Sequence, residues 1–135
     1  MSDACLVDTN ILLRFFTGEP PEMASRARML IAQADSGKVA LEVPSLIVAE
    51  TLYTLESFYE VSKGDVCEKL HVFLRSRGIS PHEPEIILDA LERYRALPIH
   101  FADAYLAATA AARKQPVYSF DKDFARFKDV TWEQP

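Results

Sequence analysis

Cysteine is scarce in this 135-residue chain: there are two, Cys5 and Cys67, far apart and in no CxxC or CxxH pattern. That excludes a disulfide framework and a thiolate zinc site, and the chain reads as cytoplasmic with reduced thiols. No apolar run reaches the roughly 20 residues needed to span a bilayer. The opening Met1-Ser2-Asp3 is acidic and leads straight into a strand, so no secretory leader is expected. His71, His82 and His100 show no metal-type spacing, and no GxSxG, Walker or GxGxxG sequence is present. Positive charge is also in short supply. Fifteen basic residues stand against 20 acidic ones, a net charge of −5. Nucleic-acid-binding modules are usually basic, so the balance argues against simple binding. It leaves room for an enzyme whose acids hold divalent cations.

What is present fits one globular domain spanning residues 1–135. Hydrophobic residues make up 49% and charged residues 26%, enough apolar matter for a sizeable core. The chain is organised around Ala4-Cys5-Leu6-Val7-Asp8-Thr9-Asn10-Ile11-Leu12-Leu13. It begins apolar and β-prone, meets three short polar residues, then turns apolar at helical spacing. That predicts a buried strand, a tight turn and a helix start, with Cys5 as a small core residue.

Further along, helices are expected from Pro21 or Glu22 to about Ala34, from an N-cap at Ser45 to about Phe58, and from the Ser62-Lys63-Gly64-Asp65 capping signal to Arg77. Two more follow, from Pro84 to Leu97 and from Phe101 to Ala112. Strands are expected at Val39–Val43, Pro116–Phe120 and Val130–Trp132, and Ile79–Pro81 reads as a short strand or an extended link. Alternation of strand and helix implies an α/β fold with a mainly parallel sheet and helices on both faces. The alanines Ala104, Ala107, Ala108 and Ala111 suit a helix that packs closely on a neighbour.

Four carboxylates stand out by position. Asp8 and Asp121 follow strands, while Glu50 and Asp103 lie early in helices. In open parallel sheets, ligands bind beyond the carboxyl ends of the strands. Each acid has a plainer reading: Asp8 as a helix cap, Asp103 as a complement to a helix dipole, Glu50 as a residue on a polar strip with Thr51, Thr54 and Ser57. If all four meet at one edge, they need a cation to stay ionised together. Oxygen-only ligands select hard ions such as Mg²⁺ or Mn²⁺. Such an ion suits in-line hydrolysis of a phosphodiester. Arg14, Lys38, Lys122 and Arg126 are candidate phosphate contacts.

The segments Leu6-Val7-Asp8-Thr9-Asn10-Ile11, Val48-Ala49-Glu50, Phe101-Ala102-Asp103-Ala104 and Ser119-Phe120-Asp121-Lys122-Asp123-Phe124 resemble, in order, the motifs of PIN-domain ribonucleases. More closely, the chain resembles the toxin half of VapBC-type toxin–antitoxin pairs. The resemblance implies a three-layer α/β/α sandwich and a Mg²⁺- or Mn²⁺-dependent endoribonuclease, usually a homodimer held in check by a small antitoxin. Asp8 and Asp103 would be the main metal ligands and Glu50 would complete the site. Asp121 would bind a second metal or orient water, with Asn10 and Ser119 in support and Asp123 as a helix cap. His100 departs from the pattern, since many relatives carry another acid there, which weighs against a full second metal site. The antitoxin tail of relatives lies in a groove near the acids, and Phe15, Phe16, Leu46, Leu52 and Tyr53 are candidates to line it here.

Two other functions compete. A haloacid-dehalogenase-like phosphatase would use Asp8 as nucleophile, but it wants an Asp where this chain has Asn10. A non-catalytic binding protein would use the same acids for packing and capping.

Overall fold

The polar triplet after the first strand behaves as its residue types dictate. In the computed structural model, which describes residues 4–135, β1 (Ala4–Leu6) leads into α1 (Thr9–Thr17). Asp8 is the N-cap, and its carboxylate accepts the Thr9 N–H at 2.8 Å. The helix stops at Gly18, whose φ of 76° lets its N–H reach back to the Arg14 carbonyl at 2.9 Å. The reading of Met1-Ser2-Asp3 lies outside the described residues. Backbone contacts divide the chain into two compact units, Met1–Glu83 and Pro84–Pro135.

In the first unit, α2 (Pro21–Asp35) starts with proline at its first position, where the missing N–H has no helical partner to lose. After β2 (Ala40–Val43) come α3 (Ser45–Ser57), α4 (Lys63–Leu74) and β3 (Ile79–Pro81). The three strands form one parallel sheet in the order β1-β2-β3, with Leu6 opposite Glu42 and Glu42 opposite Ser80. Leu41 and Val43 point to the core, as the two-residue period of a strand requires. They join Leu12, Val48, Leu55, Val66, Leu70 and Leu74, all buried. Each such side chain contributes about 1.5–3 kcal/mol on leaving water.

Three expectations are corrected here. β1 is exposed rather than buried, with Leu6 at 69% and Cys5 also open to solvent. It stands at the end of the strand order β1-β2-β3. Ser45 does not cap α3. Pro44 occupies the cap position, and the Ser45 hydroxyl instead donates to Glu83 Oε1 at 2.8 Å. Helix α4 ends at Leu74 rather than Arg77, because the chain must turn at Ser76–Gly78 to enter β3. By contrast, Ser62 does cap α4 and accepts the Asp65 N–H at 3.3 Å.

In the second unit, α5 (Pro84–Ala96) packs on α6 (Phe101–Arg113). Ala104, Ala107 and Ala108 are buried to 1% exposure or less, so the alanines do permit a close approach, with Ala110 in the place expected for Ala111. The short β4 (Val117–Tyr118) pairs in parallel with β5 (Trp132–Glu133), and a 3₁₀ turn (Lys122–Arg126) lies between them. The last strand is thus shifted toward the C-terminus from the expected 130–132. Arg93 ties α5 to the C-terminal segment. It bonds Asp89 at 3.0 Å, forks onto both oxygens of Asp129, and lies 5.5 Å from the centre of the Phe127 ring. The hydrogen bond from Arg93 holds the Asp129 carboxyl below its ordinary value, and the same bond raises the Arg93 guanidinium.

Two predictions follow from these contacts. A Cβ at Gly78 would lie 2.2 Å from the Ala34 carbonyl oxygen, at a φ of 80°. Gly18 has a similar φ but open space around it. Gly18→Ala should therefore cost only the left-handed backbone penalty of about 1–2 kcal/mol, and Gly78→Ala distinctly more, as measured by urea unfolding. For Asp129, a folded-state value below the unfolded one means stability that is present above about pH 3.9 and lost as pH falls through the folded value. Asp129→Asn should be less stable than the parent at pH 7, and the gap should close as a denaturation series is carried into acid.

Candidate active site

Parallel pairing sends β1, β2 and β3 out of the sheet at the same edge. Asp8 follows β1 there, and α3 begins just past β2, placing Glu50 in its second turn. Thr9 lies between the two acids. Its N–H goes to the Asp8 carboxylate and its hydroxyl donates to Glu50 Oε1. Both carboxylates are exposed, whereas Thr9 is buried to 6%. The first unit thus links Asp8 and Glu50 through Thr9. Asn10 is exposed on the first turn of α1.

Glu50 faces water rather than an apolar interior. It shares an exposed face of α3 with Leu46, Tyr53 and Ser57, at helical spacing. Thr51 does not extend that face. It is fully buried, and its hydroxyl bonds the Ile47 carbonyl at 2.7 Å. Nearby, His82 Nε2 meets Glu42 Oε1 at 2.8 Å, close to the Ser45–Glu83 bond. Partners about 40 residues apart leave no mark in a sequence read by local pattern.

In the second unit, Asp103 occupies the first turn of α6 and is half-buried. No hydrogen bond or ion pair to its carboxylate is present among the described residues. Asp121 caps the 3₁₀ turn, accepting the Asp123 N–H at 2.9 Å, while the Ser119 hydroxyl accepts the Asp121 N–H at 3.0 Å. Ser119 is itself fixed by Trp132, whose indole N–H donates to the Ser119 carbonyl at 2.8 Å. The cap is therefore Asp121 and not Asp123, which pairs instead with Arg126 at 3.3 Å. The order follows from position: the residue before the turn is the one whose carboxylate can reach the turn's open N–H groups.

The expected phosphate contacts separate. Arg126 is partnered by Asp123, and Arg14 donates to the Tyr59 hydroxyl at 3.1 Å. Lys38 precedes β2, so it is at the amino edge of the sheet, about 13 Å of strand from the edge where Asp8 emerges. Lys122 is exposed beside Asp121.

The expected groove is also revised. Phe15 and Phe16 line a cavity of about 610 Å³ with Ile31, Val72 and Phe73, rimmed by Asp65, Glu68 and Lys69. The three phenylalanine rings stand 5.4–5.6 Å apart. Leu52 belongs to the core, and Leu46 and Tyr53 are exposed on α3.

Among the described residues, no three His, Cys, Asp or Glu side chains gather as a metal-binding group. The donor set nonetheless suits a hard ion. Asp8 and Glu50 offer carboxylate oxygens with no thiolate or imidazole between them, and Mg²⁺ is commonly held by one or two carboxylates with water or phosphate completing its shell. The residue that sequence reading passed over is Thr9. Its only signal was its place between Asp8 and Asn10.

Comparison with known proteins was informative at the level of family. The ribonuclease VapC37 of Mycobacterium tuberculosis is 48% identical over 33 residues, which is 24% of this chain and 23% of the relative's length. The crystal structure of VapBC2 from Rickettsia felis bound to a promoter DNA fragment aligns over 98% of both chains at 19% identity, with a TM-score of 0.39. The PIN-domain family model matches residues 5–130, nearly the whole chain. Together with its α/β order and parallel strand pairing, that match shows the protein to be a member of the PIN-domain family.

Proposed function

We propose that this chain is a single PIN domain acting as a metal-dependent endoribonuclease, the toxin of a toxin–antitoxin pair, working in the cytoplasm. The observation that carries the reading is the meeting of Asp8 and Glu50 around Thr9 in a PIN-family chain. The haloacid-dehalogenase-like alternative loses its basis with that family match.

Asp8, Glu50, Asp103 and Asp121 are the acids of the site. Chain geometry supports the second pair. From Asp103 to the end of α6 is about 15 Å of helix, and from Val117 to Asp121 about 13 Å of extended chain. The chain reverses at Lys114, which takes a left-handed conformation. The return path is thus of matching length. The core cluster agrees, joining Ala104 at the start of α6 with Phe124 just past Asp121.

Mg²⁺ or Mn²⁺, when bound, supplies a water of lowered pKa and offsets charge on the phosphoryl group. Asp8 and Asp121 can serve it while capping their turns, because a carboxylate has about four lone-pair sites and each cap uses one. Asn10 and Ser119 support the site, Ser119 by fixing the Asp121 backbone. Lys122, exposed next to Asp121, is placed to meet an RNA phosphate. The domain works as a homodimer, and its partner is a small VapB-like antitoxin. The groove of Phe15, Phe16 and Phe73 offers that antitoxin an apolar seat, with Asp65, Glu68 and Lys69 on its rim.

Asn is as good a cap as Asp, so Asp8→Asn should fold normally while RNA cleavage drops about 100-fold or more. Asp103→Asn should behave alike. Cleavage at the parent rate by either variant under saturating Mg²⁺ would refute the assignment. Millimolar Mg²⁺ should also raise the melting temperature of the parent through binding to the folded state, and the rise should vanish in Asp8→Asn.

A further inference from the structure

We infer that Thr9 is the positioning residue of the acidic site: its hydroxyl aims the Glu50 carboxylate at the ion that Asp8 helps to hold. The inference rests on the ribonuclease reading and gives a role to Thr9, which that reading leaves without one.

Hydroxyls within the helices of this chain have a common habit. Those of Thr17, Thr51, Ser57 and Thr109 each donate to the carbonyl four residues earlier, at 2.7–2.8 Å. That bond satisfies the hydroxyl locally and ties it to its own helix. Thr9 has no such outlet. It is the first residue of α1, and the residue four earlier, Cys5, lies in β1. Its proton therefore goes to Glu50 Oε1, 41 residues away.

Burial makes the direction fixed. Thr9 is 6% exposed and its backbone is pinned by the Asp8 cap, so the donor cannot follow the acceptor. Glu50 is exposed and needs no partner for solvation. In water, an exposed glutamate samples many rotamers. The bond therefore serves to restrict Glu50, leaving its second oxygen open to an ion. Partners that orient a metal-ligating carboxylate typically matter 10–100-fold for metal affinity.

The test is Mn²⁺ titration of full-length protein, reading free Mn²⁺ by its electron paramagnetic resonance signal, alongside the metal-free melting temperature. Thr9→Val keeps the shape and removes the donor. It should raise the Mn²⁺ dissociation constant about tenfold while the metal-free protein melts close to the parent. Thr9→Ser should restore binding, and Thr9→Val added to Glu50→Ala should cost nothing further. Thr9→Ala gives a second measurement should valine unfold the chain. Parent-like affinity in both Thr9→Val and Thr9→Ala overturns the inference, as does a Thr9→Ser variant as weak as Thr9→Val. Those results would leave the ribonuclease reading standing. A parent that neither binds Mn²⁺ nor cleaves RNA would remove both.

Discussion

Parallel pairing of three very short strands is the constraint on which the first unit depends. With Leu6 held opposite Glu42 and Glu42 opposite Ser80, all three strands must run the same way. Each must then be re-entered from the far edge, and the α1–α2 and α3–α4 pairs are the return paths. The sheet thus has two unlike edges. Chain ends that leave strands and begin helices collect at one, and chain ends that finish helices collect at the other. Asp8 and the start of α3 fall at the first. Lys38 and Gly78 fall at the second. A slip of one residue in register would turn Leu41 and Val43 away from the core, so the same hydrophobic burial that stabilises the sheet also fixes where Asp8 emerges.

The second unit solves a different problem. It has only two residues in each of its strands, too few for a ladder to hold by itself. Its cohesion comes from the apolar cluster of Ile99, Val117, Phe124 and Phe127 with α6, from the alanine contact between α5 and α6, and from Arg93. One guanidinium reaches a residue on its own helix, a carboxylate 36 residues later and an aromatic face. Planar, multi-donor geometry is what allows this, and lysine could not reproduce it.

Much of this was legible in the residues. Some helix boundaries followed from local chemistry: Pro21 and Pro84 as first helical residues, Ser62 as a cap. The placement of Asp8 and Glu50 on one edge followed from strand–helix alternation. What local pattern could not show was anything set by tertiary neighbours. The apolar run of Ala4–Leu6 reads as buried, yet all three residues are exposed. Ser45 and Asp123 have the residue types of caps, yet Pro44 and Asp121 hold the positions. Thr9 reads as a turn residue, and its partner lies 41 residues away.

The Gly78 turn has a wider consequence. A side chain at 78 would meet the Ala34 backbone and methyl group, so the end of α2 and the entry to β3 share one packing volume. Neither position can drift alone. Position 78 admits no side chain while α2 keeps its present course, and Ala34, completely buried, admits nothing bulkier while the turn keeps its own. Substitutions at the two sites should therefore travel together across homologous chains, a covariation imposed by contact volume and independent of any selection on the acidic edge.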